Sequence, residues 1–336
     1  MEFVINQVNP YCYNGIYHRI FHKMADGLSS AAVKQEALSL GADLVGITRA
    51  EPDLWNEAFL KTFIEEKRHG DMKYLENYSL RVHPERLLKN AKSIIVIAVN
   101  YYRDAKKVPK GHGRIARYAF GRDYHKVMKK LLRGLEAFIK KHEPKARTRI
   151  CVDAIPLLEK SYAVKAGLGF IGKNTMLITR QFGSFVLLGE LLTTLKLEPD
   201  KPIPGTCGTC TRCIKACPGG ALQSERQMNA SRCNSYLTIE KKGPIPKKYH
   251  KAMGDWIFGC DICQEVCPYN KSDAKKLKNE AFKKVKIAGS SLNLEKILAI
   301  RNDEEFLQRF AGSPLMRAKK TGLQRNARIA AGNAKI

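Results

Sequence analysis

The sequence predicts a mixed α/β and α+β protein. An α/β layer spans residues 30–200, a cysteine-rich region 201–275, and a short, basic, helical C-terminal segment 276–336. Three observations predict it. Apolar β-branched runs alternate with amphipathic stretches up to about residue 200. The proline-rich "KLEPDKPIPG" (196–205) then reads as a linker. Eight of the ten cysteines follow it, between 207 and 267.

Residues 1–29 show no clean period and read as a loosely attached leader. Ser29–Ser30 suits a helix cap ahead of "AAVKQEALSLGA", which Gly41 ends. "DLVGITRA" reads as a strand and "LWNEAFLKTFIEEKRHG" as a helix stopped by Gly70. "SIIVIAVNYY" (93–102) is the clearest strand, apolar throughout and so buried on both faces. "KVMKKLLRGLEAFIKKHE" reads as a helix closed by Pro144, "RICVDA" as a strand ending at Asp153, and Pro156 to Gly167 as a helix. In the tail, "EEFLQRF" and "LQRNARIAAGN" read as helices.

The net charge of +27 exceeds what solubility needs and favours a polyanionic partner. Residues 241–286 hold twelve lysines against five acids, and the tail from 306 has seven basic residues and no acid. No run approaches the ~18 apolar residues of a membrane span, and the N-terminus makes a poor signal peptide. A cytoplasmic protein is expected. In that reducing compartment ten cysteines point to metal or redox work rather than disulfides.

"CGTCTRCIKACP" carries Cys207, Cys210, Cys213 and Cys217 at the spacing of a bacterial ferredoxin run. "CDICQEVCP" repeats its ending with Cys260, Cys263 and Cys267, but Ile257 stands where a first cysteine is due. The fourth cysteine of such a run begins a helix and ligates the other cluster. Cys207, Cys210, Cys213 and Cys267 are therefore grouped round one [4Fe-4S] cluster, and Cys217, Cys260 and Cys263 round a second. Cys233, 16 positions after Cys217, is the candidate for the missing ligand. A zinc ribbon also uses C-x2-C pairs, but has no need of the whole run and its proline twice. Cys151 reads as a packing residue and Cys12 as incidental.

Two clusters make a single-electron wire, and a wire needs a terminus. Asp153 lies at the carboxyl end of a strand, where α/β proteins place ligands. "GLGFIGKN", with Gly169 and Gly172, lets backbone approach a large flat or phosphate-bearing ligand. It follows a helix rather than a strand, so the dinucleotide reading fails.

At this point the chain resembles the epoxyqueuosine reductases, cobalamin-dependent iron–sulfur enzymes related to reductive dehalogenases. The resemblance rests on "GDMKYLENYSLRVHPERLL", "RYAFGRDYH", "VDAIPLLEKSYAVKAGLGFIGKNTMLI", "GSFVLLGELL", both cysteine runs with "RCNSYLTIE" between them, "GPIP" and "RNARIAAGN", over about residues 31–333. Phe170 replaces a usual tryptophan, "CPYN" replaces "CPWN", and the helical-repeat extension of some members is absent. The resemblance implies that the α/β part binds cobalamin and that the reaction is the last step of queuosine synthesis. An epoxide on a modified tRNA base takes two electrons and two protons, giving an alkene and water.

It also implies site residues. Asp153 is the candidate general acid, with an apolar neighbourhood expected to keep it protonated near neutral pH; capping of the following helix is the other reading. "DYHKVM" approaches the corrinoid motif D-x-H-x-x-G, but Met128 replaces its glycine, so His125 is expected to line the cofactor pocket rather than ligate cobalt. Lys173, Asn174 and Thr175 are expected to hydrogen-bond corrin amides or phosphate, with Arg81, Arg117 and Tyr118 as further contacts. Candidate tRNA contacts are Lys241, Lys242, Lys247, Lys248, Arg317, Lys319, Lys320 and Arg325. A monomer fed by an external low-potential electron donor is expected. A small-molecule reductase of the dehalogenase kind and a two-cluster electron carrier are the competing readings.

Overall fold

The structure is a computed structural model and describes residues 27–270, 277, 279–283 and 287–334; most of the expected leader, with Cys12, lies outside them. The strands are β1 (Leu44–Arg49), β2 (Ser93–Asn100), β3 (His112–Ile115), β4 (Thr148–Cys151), β5 (Phe170–Ile171), β6 (Leu177–Ile178), β7 (Val186–Thr193), β8 (Leu222–Ser224), β9 (Gln227–Met228), β10 (Trp256–Phe258) and β11 (Ser291–Asn293). The main helices are α1 (Ser30–Ser39), α2 (Leu54–Glu65), α3 (Tyr78–Val82), α4 (Tyr124–His142), α5 (Glu159–Lys165), α6 (Arg212–Ala216), α7 (Asn234–Ile239), α8 (Ile262–Glu265), α9 (Leu294–Leu298), α10 (Asp303–Phe310) and α11 (Lys319–Asn333).

A four-stranded sheet in the order β1-β2-β7-β4 carries the first half of the chain. All its ladders are antiparallel. The alternation of strand and helix thus builds an α+β layer, with β7 returning late in the chain to enter between β2 and β4. All eight residues of β2 are buried. Ile95, Ile97 and Val99 pack with Val33 of α1 and Met128 and Leu132 of α4. Ile94, Val96 and Ala98 pack with Leu157 and with Tyr162 and Ala163 of α5. Ser29 caps α1 through the Ala32 N–H, as expected. The helix expected from Pro156 is shorter, because the Leu158 N–H is taken by the Arg81 carbonyl of α3 and Leu157 is drawn into the core.

A second core joins distant parts of the chain. β3 lies between β10, its parallel partner, and β11, its antiparallel one. Around them Ile115, Phe120, Ile257, Phe258, Leu294, Phe306, Phe310, Leu323 and Ala327 form one apolar cluster. Ile257 is fully buried within it, which accounts for the cysteine missing there. Asn326 of α11, itself fully buried, donates to the carbonyls of Thr238 and Ile257 at 2.8 Å each. Among the described residues no helix is long and apolar enough to cross a membrane.

Candidate active site and cluster loops

β4 ends at Cys151, and two residues later Asp153 adopts φ 49°, a left-handed conformation that non-glycine residues avoid. Its N–H donates to Glu159 Oε1 at 2.6 Å. Its carboxylate Oδ2 lies 3.0 Å from His125 Nε2. His125 Nδ1 in turn lies 2.7 Å from Asp123 Oδ1, which also accepts the His125 N–H at the start of α4. An Asp123–His125–Asp153 array results. Tyr124 stacks on the imidazole with ring centres 4.2 Å apart, and Tyr118 meets Tyr124 edge-on at 6.0 Å. Leu158 occupies the N-cap of α5 with no side-chain cap, so Asp153 does not cap that helix.

Electrostatics reverse one expectation. The hydrogen bond from His125 holds the Asp153 carboxyl below its usual range, against the opposing effect of burial, with further support from the His125 charge and Tyr124. Its hydrogen bonds to Asp123 and Asp153 push His125 up to about 9. At neutral pH the proton therefore sits on the imidazole, and Asp153 is a carboxylate; the apolar neighbourhood expected to keep it protonated is outweighed by a cation 3.0 Å away. Two carboxyls behind the loop behave oppositely. Burial pushes Glu159 up to about 7, and raises Glu190, on β7, far above the carboxylate range.

The cysteine loops bring eight thiols into two groups. Cys213 and Cys267 each feel Cys207, and Cys267 also feels Cys210. Cys260 and Cys263 both feel Cys217 and Cys233. Among the described residues no three His, Cys, Asp or Glu side chains converge on a single-ion site. Burial pushes the Cys260 thiol up to about 12. Cys217 and Cys267 each follow a helix, α6 and α8, instead of beginning one, because the run wraps its loop first and turns away at the proline. Cys151 is fully buried, as a packing residue should be.

The remaining candidates divide by environment. Lys173 donates its N–H to Cys207 Sγ at 3.4 Å, and its ammonium reaches the Gly208 carbonyl at 2.7 Å and Glu225 at 2.6 Å. Asn174 is 3% exposed and its Nδ2 has no partner within the protein. Thr175 has φ 64° and accepts from the Lys160 ammonium at 2.7 Å. The room a side chain would need at Gly169 is filled by the Ile178 carbonyl, and at Gly172 by Ile178 and Asn174. These glycines let the chain close on itself at the β5–β6 hairpin. Arg117 is committed to Asp261 at 3.1 Å and Glu265 at 2.6 Å. Arg81 is buried with its Nε unpartnered and lies over the Tyr74 ring.

Of the basic candidates, Lys242, Lys247, Lys248 and Lys319 are exposed. Lys241 pairs with Asp71 at 2.8 Å, and Lys320 donates to the Arg301 carbonyl at 2.9 Å. Arg317 forms a two-pronged pair with Glu240 at 2.9 and 2.8 Å. Arg325 is occupied within the fold, donating to the carbonyls of Leu237, Lys241 and Gly243.

Comparison with known proteins follows the same division. Residues 206–270 match the family model of a 4Fe-4S double cluster binding domain, and residues 81–154 that of epoxyqueuosine reductase QueG, DUF1730. An epoxyqueuosine reductase from Cellulophaga algicola is 37% identical over 301 residues, covering 88% of this chain and 96% of the relative. The chain belongs to the epoxyqueuosine reductase family. Among solved epoxyqueuosine reductases, the Bacillus subtilis protein with its catalytic aspartate loop swung out of the active site is 34% identical, with a TM-score of 0.83. One solved with an epoxyqueuosine-modified tRNA-Tyr stem loop is 35% identical, with a TM-score of 0.82. Each alignment covers 91% of this chain and 81% of the other. Glu159 and Glu190 are not evident as site residues from the sequence. The available signal was a lone acid in each of two apolar runs, "IPLLEK" and "VLLGELL".

Proposed function

We propose that this epoxyqueuosine reductase deoxygenates epoxyqueuosine in the anticodon loop of tRNA to queuosine. The ring loses its epoxide oxygen as water, takes up two electrons and two protons, and becomes an alkene. The single observation that carries the reading is the Asp123–His125–Asp153 array, which stores a proton on His125, at the start of α4, beside the loop that follows β4. His125 holds the proton at Nε2 and passes it through Asp153 Oδ2 to the departing oxygen, while Asp123 keeps the imidazole oriented. The relative's swung-out catalytic loop supports the view that the Asp153 loop moves as a unit. Cys207, Cys210, Cys213 and Cys267 would hold one [4Fe-4S] cluster, and Cys217, Cys233, Cys260 and Cys263 the other.

Cobalamin fits the polar groups present. Buried donors without partners, Asn174 Nδ2 and Arg81 Nε, suit a group rich in acceptor amides and phosphate. Thr175, His125 and Tyr118 would complete the contact, while Lys173 bridges to the cluster loop. When bound, that cofactor supplies a low-valent cobalt, a strong nucleophile and reductant. Exposed Lys242, Lys247, Lys248 and Lys319, with Arg317, would meet tRNA phosphates. The enzyme would act as a cytoplasmic monomer fed by an external low-potential donor. Anaerobic turnover of epoxide-bearing tRNA, read by nucleoside mass spectrometry, tests this. Asp153→Asn is expected to keep its iron and cobalamin and to lose turnover by at least about a hundredfold; full activity in that variant removes the assignment.

A further inference from the structure

Glu159 and Glu190 stand behind the proton array, outside the path from His125 to Asp153. Glu190 lies on β7 between Val96 of β2 and Cys151 of β4, at register positions paired with both. It is 0% exposed, and neither of its oxygens meets hydrogen-bond geometry with any partner. The apolar residues of its layer include Leu157, Tyr162, Ala163 and Leu192. Burying an acid there costs its desolvation, so packing does not explain it. The carboxyl group it faces is that of Glu159. Glu159 Oε1 in turn accepts the Asp153 N–H at 2.6 Å. That N–H belongs to a residue held at φ 49°, a conformation that needs an outside constraint.

We propose that Glu159 is the positioning residue that holds Asp153 in its left-handed, productive conformation, and that Glu190 supports it from within the sheet as a neutral acid. The inference rests on the reading of Asp153 as the proton-delivering group. Burial raises both carboxyls, Glu159 to about 7 and Glu190 well beyond it, so the pair carries fewer than two charges at neutral pH. The charged and titratable groups facing Glu159 are Glu190 from β7, Asp153 and Cys151 from β4 and its loop, Arg81 from α3, Tyr124 from α4 and Lys160 on α5 itself. An N–H bond to a carboxylate is stronger than one to a neutral acid. The hold on Asp153 therefore tightens as pH rises through about 7.

The test uses the full chain, reconstituted without oxygen, with kcat and KM for epoxide-bearing tRNA measured from about pH 6 to about pH 9. Glu159→Ala is expected to lower kcat by about a hundredfold, the cost of a misplaced reacting group, with KM unchanged. Glu159→Gln keeps an acceptor and stays within about tenfold, but loses the acid limb of the kcat profile near 7. Glu190→Gln replaces a buried acid by a neutral isostere. Because the folded state retains that proton while the unfolded chain loses it above about pH 4.5, stability falls as pH rises in the parent. The variant should gain melting temperature, and gain more at about pH 8 than at about pH 5. Parental kcat and profile in Glu159→Ala overturn the proposal, as does a pH-independent response in Glu190→Gln. If Glu159→Ala loses iron and folding, an unmoved acid limb in Glu159→Gln overturns it instead. Failure of the parent chain to turn over any tRNA would remove the functional reading, a distinct result.

Discussion

The Asp153 array and the cysteine loops keep charge in opposite ways. Around Asp153 the fold supplies its own counter-charge: two carboxylates flank one imidazolium, at 2.7 and 3.0 Å. Around the thiols it supplies little beyond backbone N–H groups, such as those of Lys173 to Cys207 and Ala221 to Cys217. Burial and mutual repulsion raise Cys233, Cys260 and Cys263 together. The array is complete as a polypeptide, whereas the loops reach their working charge only with an inorganic core.

The largest expected effect breaks the second region alone. Cys263→Ala should lower iron from about eight to about four atoms per chain and abolish turnover. His125 should still titrate near 9 by NMR, and a large shift there would show that the two regions are not independent. Next comes the array. His125→Gln retains a donor for Asp153 but carries no proton, so kcat should fall by about a hundredfold or more with iron content unchanged. In the parent, the stability due to protonated His125 is fully present below about 6.5 and is lost as pH rises through about 9. That alkaline loss should vanish in the variant's melting profile. The smallest effect lies outside both regions. Changing Lys242, Lys247 and Lys248 together to Gln should weaken tRNA binding and reduce the salt slope by about 2, measured by filter binding at several salt concentrations.

Local features were legible in the sequence. The cysteine loops wrap within a few residues, so spacing alone groups Cys207, Cys210 and Cys213. β2 announces its burial on both faces by composition. What escaped depends on distant partners. Arg117 reads as a cofactor contact, and its ion pairs with Asp261 and Glu265, 144 and 148 positions away, have no local signal. Gly169 reads as room for a ligand, while the close approach of the Ile178 carbonyl across the hairpin has no local signal. The protonation of Asp153 could not be foreseen either, since composition places apolar residues beside it while only the fold places His125 there.

The position of β3 bears on how the molecule comes into being. Its neighbours are β10 and β11, more than 140 residues downstream. As the chain leaves the ribosome, residues 112–115 wait for β10, at Trp256–Phe258, to emerge before gaining a partner. Cutting at the linker near residue 200 would therefore yield an orphaned strand rather than an autonomous upstream half.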